Sequence, residues 1–515
     1  MIVGIDFGTC FSHVSVIMGE TVIDDLVRDS GGFVQIPSKF IINEGKEYFG
    51  SEAEKISRIC KREPLKEIKL KVRGKEYLLK KPYGEGESSQ TYGDILSKLL
   101  GYIIDCVKRS DSDPIEYITV AAPVSLNKGG IQNTEYNNLL KETIKTLTGL
   151  DDEHVFVKEE PVVAAYSYIC NSKPQNDESI LVFDLGGGTL DISIVRYNKK
   201  GGEMEVVSTG GEEIGGNKWS ARLATIVKAS LFKEGVSEEQ FPPNYNDEIE
   251  KLKIRLSSNA HSPFYLTLND GSNAPEIVIS RAEFEFHTEE LLKQCESCVN
   301  DRLEEAGMRF DDIDSIVLVG GGSLMPQVRR MFLGNPGVND DKIKSYSPDT
   351  AISNGAALFA KNMVKQSGVL SVGPYIKETS SHSYGVEVDD TYYGSSLVKN
   401  IIFKGEEFID GNLYRSPGCT FKPGSDGKTQ NMLIKIYESD CLKSECDEKG
   451  YIRISKNTVP VGKPISIPVP EGYRQAPSRY KIRIALNLTS DKILRIRVTE
   501  ATEDGRVLME GKINS

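Results

Sequence analysis

The stretch Ser179-Ile180-Leu181-Val182-Phe183-Asp184-Leu185-Gly186-Gly187-Gly188-Thr189-Leu190-Asp191-Ile192-Ser193-Ile194-Val195 joins two apolar, β-branched segments through an Asp-x-Gly-Gly-Gly-Thr turn. The second segment is too short and too β-branched for a helix, so the whole reads as a β-hairpin. The N-terminus repeats the pattern: Ile2-Val3-Gly4-Ile5-Asp6-Phe7-Gly8-Thr9 leads into Cys10-Phe11-Ser12-His13-Val14-Ser15-Val16. Asp6 and Asp184 stand 178 positions apart, about one domain length, which predicts two related halves.

Around these hairpins, strands alternate with helices. Ile115 to Val120 reads as a strand ending near Pro123, Tyr136 to Leu147 as a helix, and Pro161 as the first turn of another. Helical periods cover Trp219 to Phe232, Glu248 to Leu256 and Glu283 to Glu305. Ser315 to Val319 reads as a buried strand running into Gly320-Gly321-Gly322-Ser323, and a helix begins at Pro326. That alternation indicates an α/β architecture. After about Ser371 the period changes to two. Ile482, Ile484, Leu486 and Leu488 alternate with polar neighbours, as do Leu494, Ile496 and Val498, and a turn is expected at Asp504-Gly505. These read as antiparallel strands with one dry face, so the C-terminal part is all-β.

Composition limits the function. The 515 residues carry a net charge of −12, with 39% hydrophobic and 27% charged side chains. From Lys377 onward 21 basic and 19 acidic residues give +2, so the acidic excess lies in the first 376 residues. An acidic bulk argues against sequence-independent nucleic-acid binding, which needs a basic face. No apolar run approaches the roughly 18 residues of a membrane span. The N-terminus carries no basic leader, and nine irregularly spaced cysteines read as reduced thiols, so a cytoplasmic protein is expected.

The chemistry is that of a phosphate chain. Backbone N–H groups of a tight glycine turn can approach crowded anionic oxygens, a threonine hydroxyl adds a donor, and an aspartate at a strand end can hold magnesium through its waters. Two copies of such a turn could clamp a nucleoside triphosphate from both sides. Neither a Gly-x-x-x-x-Gly-Lys-Ser/Thr loop nor Gly-x-Gly-x-x-Gly is present to do this otherwise.

These motifs resemble those of the seventy-kilodalton heat-shock chaperones, in the actin and sugar-kinase superfamily. Gly4 to Thr9 is similar to the first phosphate motif and Val182 to Asp191 to the second. Ile316 to Pro326 is similar to the adenosine motif, Lys158 to Ala165 to the connecting motif, and Val120 to Pro123 to the strand end bearing a switch proline. The resemblance implies an actin-like duplicated ATPase fold over residues 1–372, a linker over 373–384 and an antiparallel β-sandwich, similar to a peptide-binding domain, over 385–515. It also implies ATP or ADP with Mg2+ and a monovalent cation such as K+.

Roles then follow position by position. Asp6, Asp184 and Asp191 would hold the metal, its waters or the monovalent ion, and Thr9 and Thr189 would contact phosphates. Glu160 would orient the attacking water, and Asp184 and Thr189 would share in the catalysis. The expected catalytic lysine is Lys69, with Lys71 as the alternative. Gly8, Cys10, Gly186, Gly187, Gly188, Gly320, Gly321, Gly322 and Ser323 would line the nucleotide. Glu250, Lys253, Ser257 and Asp349 would face its adenosine.

Met432 and Ile434 match, more loosely, two apolar peptide-pocket positions. The implied partners are unfolded or extended peptide segments, a J-domain co-chaperone and a nucleotide exchange factor, with no nucleic acid and no membrane. The implied function is that of an ATP-dependent chaperone. The alternative is a nucleotide-regulated assembly or signalling ATPase that folds no client. The chain is expected to lack the helical lid that follows the sandwich in the family.

Departures from the pattern fall on Cys10, Phe11, Leu324, Ile131 and the linker Pro374 to Glu378. They bear more on interdomain coupling than on nucleotide binding. Other signals point to plain structure. Cys295-Glu296-Ser297-Cys298 lies mid-helix with no second cysteine pair, Cys441 and Cys446 likewise read as inert, and the charge run Lys61 to Lys81 reads as a solvated face.

Overall fold

The computed structural model of the chain describes residues 1–72, 90–124, 131–366, 373–377, 380, 382–390, 395–407, 415–416, 420–421, 431–439, 441–455, 458–468, 480–489, 494–502 and 505–513. The domain boundary expected at residue 372, the charge run beyond Val72, the side chain of Ile131, Glu378 of the linker, and Asp504 of the final turn lie outside the described residues. Two compact units emerge. One comprises Met1–Leu126 with Leu140–Ile376, and the other Lys377–Ser515 with Asn127–Leu139.

The larger unit is built twice. Its first sheet runs Thr21–Ile23, Phe11–Met18, Ile2–Asp6, Tyr117–Ala122, Val155–Glu159, with Ile36–Pro37 beside the second of these strands. Its second sheet runs Ile343–Ser345, Ser315–Val319, Glu178–Leu185, Leu190–Asn198, Glu203–Glu212, Tyr375–Lys377. Each holds the same nucleus: an antiparallel hairpin whose first strand pairs in parallel with a strand from a later crossover. The duplicated hairpins are therefore a duplicated fold. Together with the β-sandwich that follows, this is an actin-like α/β architecture.

The central strands are buried on both faces, as parallel sheets between helical layers require. In Glu178–Leu185, the side chains of Leu181, Phe183 and Leu185 pack with Trp219, Leu223, Ile249, Leu252 and Phe332. Ile180 and Val182 point the other way, toward Val162, Val163, Tyr166 and Ile352. That second layer holds helices Glu160–Ser172 and Ala351–Gln366. Their close approach depends on Gly355, where an added Cβ would lie 1.8 Å from the Val163 carbonyl oxygen.

The smaller unit is a sandwich of a five-stranded and a three-stranded antiparallel sheet. Ile482, Ile484, Leu486, Leu488, Leu494, Ile496 and Val498 form one wall of its core, and Tyr384, Val386, Met432, Ile434, Ile436 and Val461 the other. The alternation in the sequence is thus the sandwich's dry face. The linker expected over 373–384 is shorter than that span. Tyr375–Lys377 adds an edge strand to the second sheet, tied by Tyr375 N–H to the Gly202 carbonyl at 2.8 Å, and Ser383 already opens the sandwich's first strand. Among the described residues no helix is long and apolar enough to cross a membrane.

Candidate functional site

The two hairpin turns meet. A Cβ on Gly187 would lie 2.5 Å from the Cys10 sulfur, and one on Gly188 would lie 2.8 Å from the Thr9 hydroxyl. Only residues without side chains leave room here for the Cys10 and Thr9 side chains of the first turn. Each turn is held by a different partner. Ser38 fixes the first, its hydroxyl donating to the Gly8 carbonyl at 2.8 Å and its N–H to that of Cys10 at 2.9 Å. The second is closed by Gly186 N–H on the Thr189 carbonyl at 2.9 Å, then bound by the N-terminus of helix Gly216–Lys233. There Gly216 N–H donates to the Gly186 carbonyl at 2.9 Å and Asn217 N–H to that of Gly187 at 2.8 Å. Thr9 and Thr189 are both buried.

Acidic groups gather behind the turns. Asp6 ends its strand opposite His13, and Asp184 lies opposite Asp191. Burial pushes the Asp6 carboxyl up to about 7, with Glu160 adding to the rise and Lys69 opposing it. Asp191 is likewise pushed up to about 7 by burial and then by Glu160, again against Lys69. Asp184 is held well above the carboxylate range by burial, Glu160, Asp191 and Asp6. Lys69 is buried and ion-paired with Glu160. It departs from the solvated charge run expected around it, because the four-residue helix Ile68–Lys71 turns it inward while Lys71 stays exposed. Between the two lysine candidates, only Lys69 meets the acidic cluster.

This donor set fits a cation. Asp191 accepts a hydrogen bond from Val124 N–H at 2.8 Å through one oxygen, while its other oxygen is buried without a partner. Several mutually repelling carboxylates with an orphan acceptor are what a positive ion would relieve. Among the described residues no three acidic, histidine or cysteine side chains converge as a set of direct metal ligands.

The expected adenosine-side residues divide. Lys253 is buried and donates to Glu250 at 2.8 Å, Ser220 at 3.1 Å and the Gly216 carbonyl at 3.1 Å, so Glu250 and Lys253 adjoin the second turn. Ser257 donates to the carbonyl of Lys253 in its own helix at 3.3 Å. Gly320 adopts φ +76°, and a Cβ there would lie 2.5 Å from an Asp184 oxygen, which brings the third glycine cluster against the acidic group. Its N–H donates to the Pro348 carbonyl at 3.0 Å, beside the exposed Asp349. Ser323 closes its own turn on the Gly320 carbonyl at 2.7 Å, next to Gly321 and Gly322. In the smaller unit, the expected peptide-pocket residues Met432 and Ile434 are both buried in the sandwich core, while Leu433 between them faces outward.

Sequence reasoning missed Gly215, Gly216, Asn217, Glu67 and Val124. The first three carry a readable signal, a Gly-Gly pair opening a helical period. Starting that helix at Trp219 hid its N-terminus.

A family model described as Hsp70 protein matches residues 85–407, most of the chain, and the chain belongs to that family. It is 28% identical over 371 residues to the chaperone protein DnaK of Metamycoplasma hominis, covering 69% of this chain and 58% of that protein. For DnaK of Mycoplasmoides gallisepticum the figures are 27% over 371 residues, covering 70% and 59%. For DnaK of Gracilaria tenuistipitata var. liui they are 33% over 234 residues, covering 44% and 35%. The chain thus spans less than three-fifths of the length of these relatives.

Proposed function

We propose that the larger unit binds ATP with Mg2+ and hydrolyses it to ADP and phosphate, and that nucleotide state governs the binding of extended polypeptide by the β-sandwich. The observation that carries this reading is the Lys69–Glu160 pair facing Asp6, Asp184 and Asp191 behind two apposed glycine turns. The backbone N–H groups of Gly8, Gly187 and Gly188, with the hydroxyls of Thr9 and Thr189, receive the phosphates, and Gly186 shapes the turn that presents them. Glu160, oriented by Lys69, holds the attacking water. Asp6, Asp184 and Asp191 would hold Mg2+, its waters or a monovalent cation such as K+, and the bound metal would supply charge neutralisation for phosphoryl transfer. Glu250, Lys253 and Ser257 face the adenosine with Gly320 to Ser323 and Asp349. A J-domain co-chaperone and a nucleotide exchange factor are the partners this reading carries, in the cytoplasm.

A second reading, an actin-superfamily ATPase that signals or assembles without folding clients, draws support from the burial of Met432 and Ile434 in the core. Turnover of ATP with and without an unfolded apolar peptide separates the two, since stimulation is expected only of the chaperone. In either case Asp184→Asn or Thr189→Ala is expected to slow turnover at least tenfold in a folded protein. A positioned charge contact is worth about 2–4 kcal/mol of barrier. Unchanged turnover in both variants would remove this hairpin from the chemistry.

A further inference from the structure

Glu67 precedes the helix that carries Lys69, and it holds a left-handed backbone at φ +59°, ψ +31°. A residue with a side chain stays in that region only when its surroundings hold it there. Its carbonyl accepts the Leu70 N–H at 3.0 Å, so Glu67 sets the start of the helix that aims Lys69. Its carboxylate accepts a hydrogen bond from the Asn217 side-chain nitrogen at 2.5 Å. Asn217 belongs to the other half of the duplicated fold, in the first turn of helix Gly216–Lys233, anchored by its N–H on Gly187. Its side-chain oxygen accepts from the Cys10 thiol at 3.4 Å.

Chemistry fixes the direction of this chain. A carboxylate can only accept, so the amide nitrogen must face Glu67 and the amide oxygen must face the thiol. The thiol must then be protonated to donate. Burial, with Glu250 nearby, pushes Cys10 up to about 11 and keeps it so. The relay therefore links the first phosphate turn, the helix that holds the second, and the segment bearing Lys69.

We propose that Asn217 and Glu67 are positioning residues: the Cys10–Asn217–Glu67 relay braces the Lys69 helix against the opposite half of the fold and thereby sets Lys69 on Glu160. The inference rests on the ATPase reading for its kinetic consequence, but the relay itself has a readout that needs no hydrolysis. Losing the brace should slow the chemical step while the nucleotide still binds.

The test uses the full chain with Asn217→Ala, Glu67→Ala, Glu67→Gln and the Asn217→Ala/Glu67→Ala double variant. Single-turnover hydrolysis should slow about tenfold in both alanine variants, with ATP Kd changed less than threefold. The double variant should be no slower than either single variant, because both break one connection. Glu67→Gln should recover most of the rate, since its amide oxygen accepts the same bond. Rates like those of the unmodified chain, or losses that multiply in the double variant, would overturn the proposal.

Alkylation of Cys10 by iodoacetamide, followed by peptide mapping, reads the relay separately. Glu67→Ala releases the Asn217 amide to turn away, so Cys10 should react severalfold faster. An equal alkylation rate would overturn the relay. If the unmodified chain hydrolyses no ATP, the ATPase reading has failed, and the alkylation rates alone decide for or against the relay.

Discussion

The two hairpins share a strand order and a turn but not a charge. In the first, Asp6 faces His13 across the ladder, and burial lowers the affinity of that imidazole for a proton. His13 is bound to Ser353 at 3.1 Å, so the position opposite Asp6 is tied into the helix layer. In the second, Asp184 faces Asp191, and both are buried carboxyls driven upward. Duplication has preserved the backbone while the side chain across from each aspartate has diverged. The second half carries the denser negative charge, and Lys69, which opposes it, comes from the first. Neither half holds a balanced site alone, which gives a physical reason for the two turns to face each other.

The sharpest way to break this comparison is to remove the shared cation. Lys69→Ala leaves Glu160 unpaired among three buried aspartates. Removing one partner of a buried pair costs about 3–5 kcal/mol, because the remaining charge is uncompensated. Urea unfolding should show a loss of that order, and ATP turnover should fall at least a hundredfold. Adding Glu160→Gln to Lys69→Ala should restore much of the stability but not the turnover. A Lys69→Ala protein as stable as the unmodified chain would mean that the charges of the two halves do not depend on one another.

A second test isolates the carboxylate that the first hairpin lacks. Asp191 is raised in the folded protein, mainly by burial and then by Glu160, to about 7. A raised group contributes stability that is fully present below its unfolded pKa and is lost as pH rises through the folded value. With chelator present, the unmodified chain should therefore lose stability from about pH 4 to pH 7 through this group. Asp191→Asn has no proton to lose, and its oxygen can still accept from Val124. Its stability relative to the unmodified chain should rise with pH, by at most about 1.4 kcal/mol per unit. A difference that stays flat between pH 5 and pH 8 would show that the cluster does not titrate through Asp191.

Much of this arrangement was legible because it is local. The hairpins, the strand Ser315–Val319 and the alternating faces after Ile482 follow from period and turn chemistry within a few residues. The choice between Lys69 and Lys71 was not, since a four-residue helix gives no periodicity and the deciding contact, Glu160, is 91 positions away. Asn217 was hidden because its role lies in what its helix end touches, and no pattern within the helix records that. Met432 and Ile434 illustrate the opposite case. Apolar residues two apart in a strand share a face, but whether that face is a pocket or a core is set by the second sheet.

The smallest expected effect concerns the base. Ile254 and Leu324 lie in the two segments proposed for the adenosine, and both are at least half exposed, at 61% and 50%. Neither offers a hydrogen bond or a charge, so a purine against either would be held by contact area, which adenine and guanine present almost equally. ATP should therefore be preferred to GTP by less than about a hundredfold in competitive titration. Ile254→Arg places a cation where it can lie over the ring, an interaction worth about 0.5–2 kcal/mol. It should tighten ATP binding by between about two- and thirtyfold. The hairpins and their charges would be untouched, so any change belongs to the base and not to the phosphates. A preference for ATP above a hundredfold in the unmodified chain would assign the grip on the base to polar groups elsewhere. In that case Ile254→Arg should add nothing.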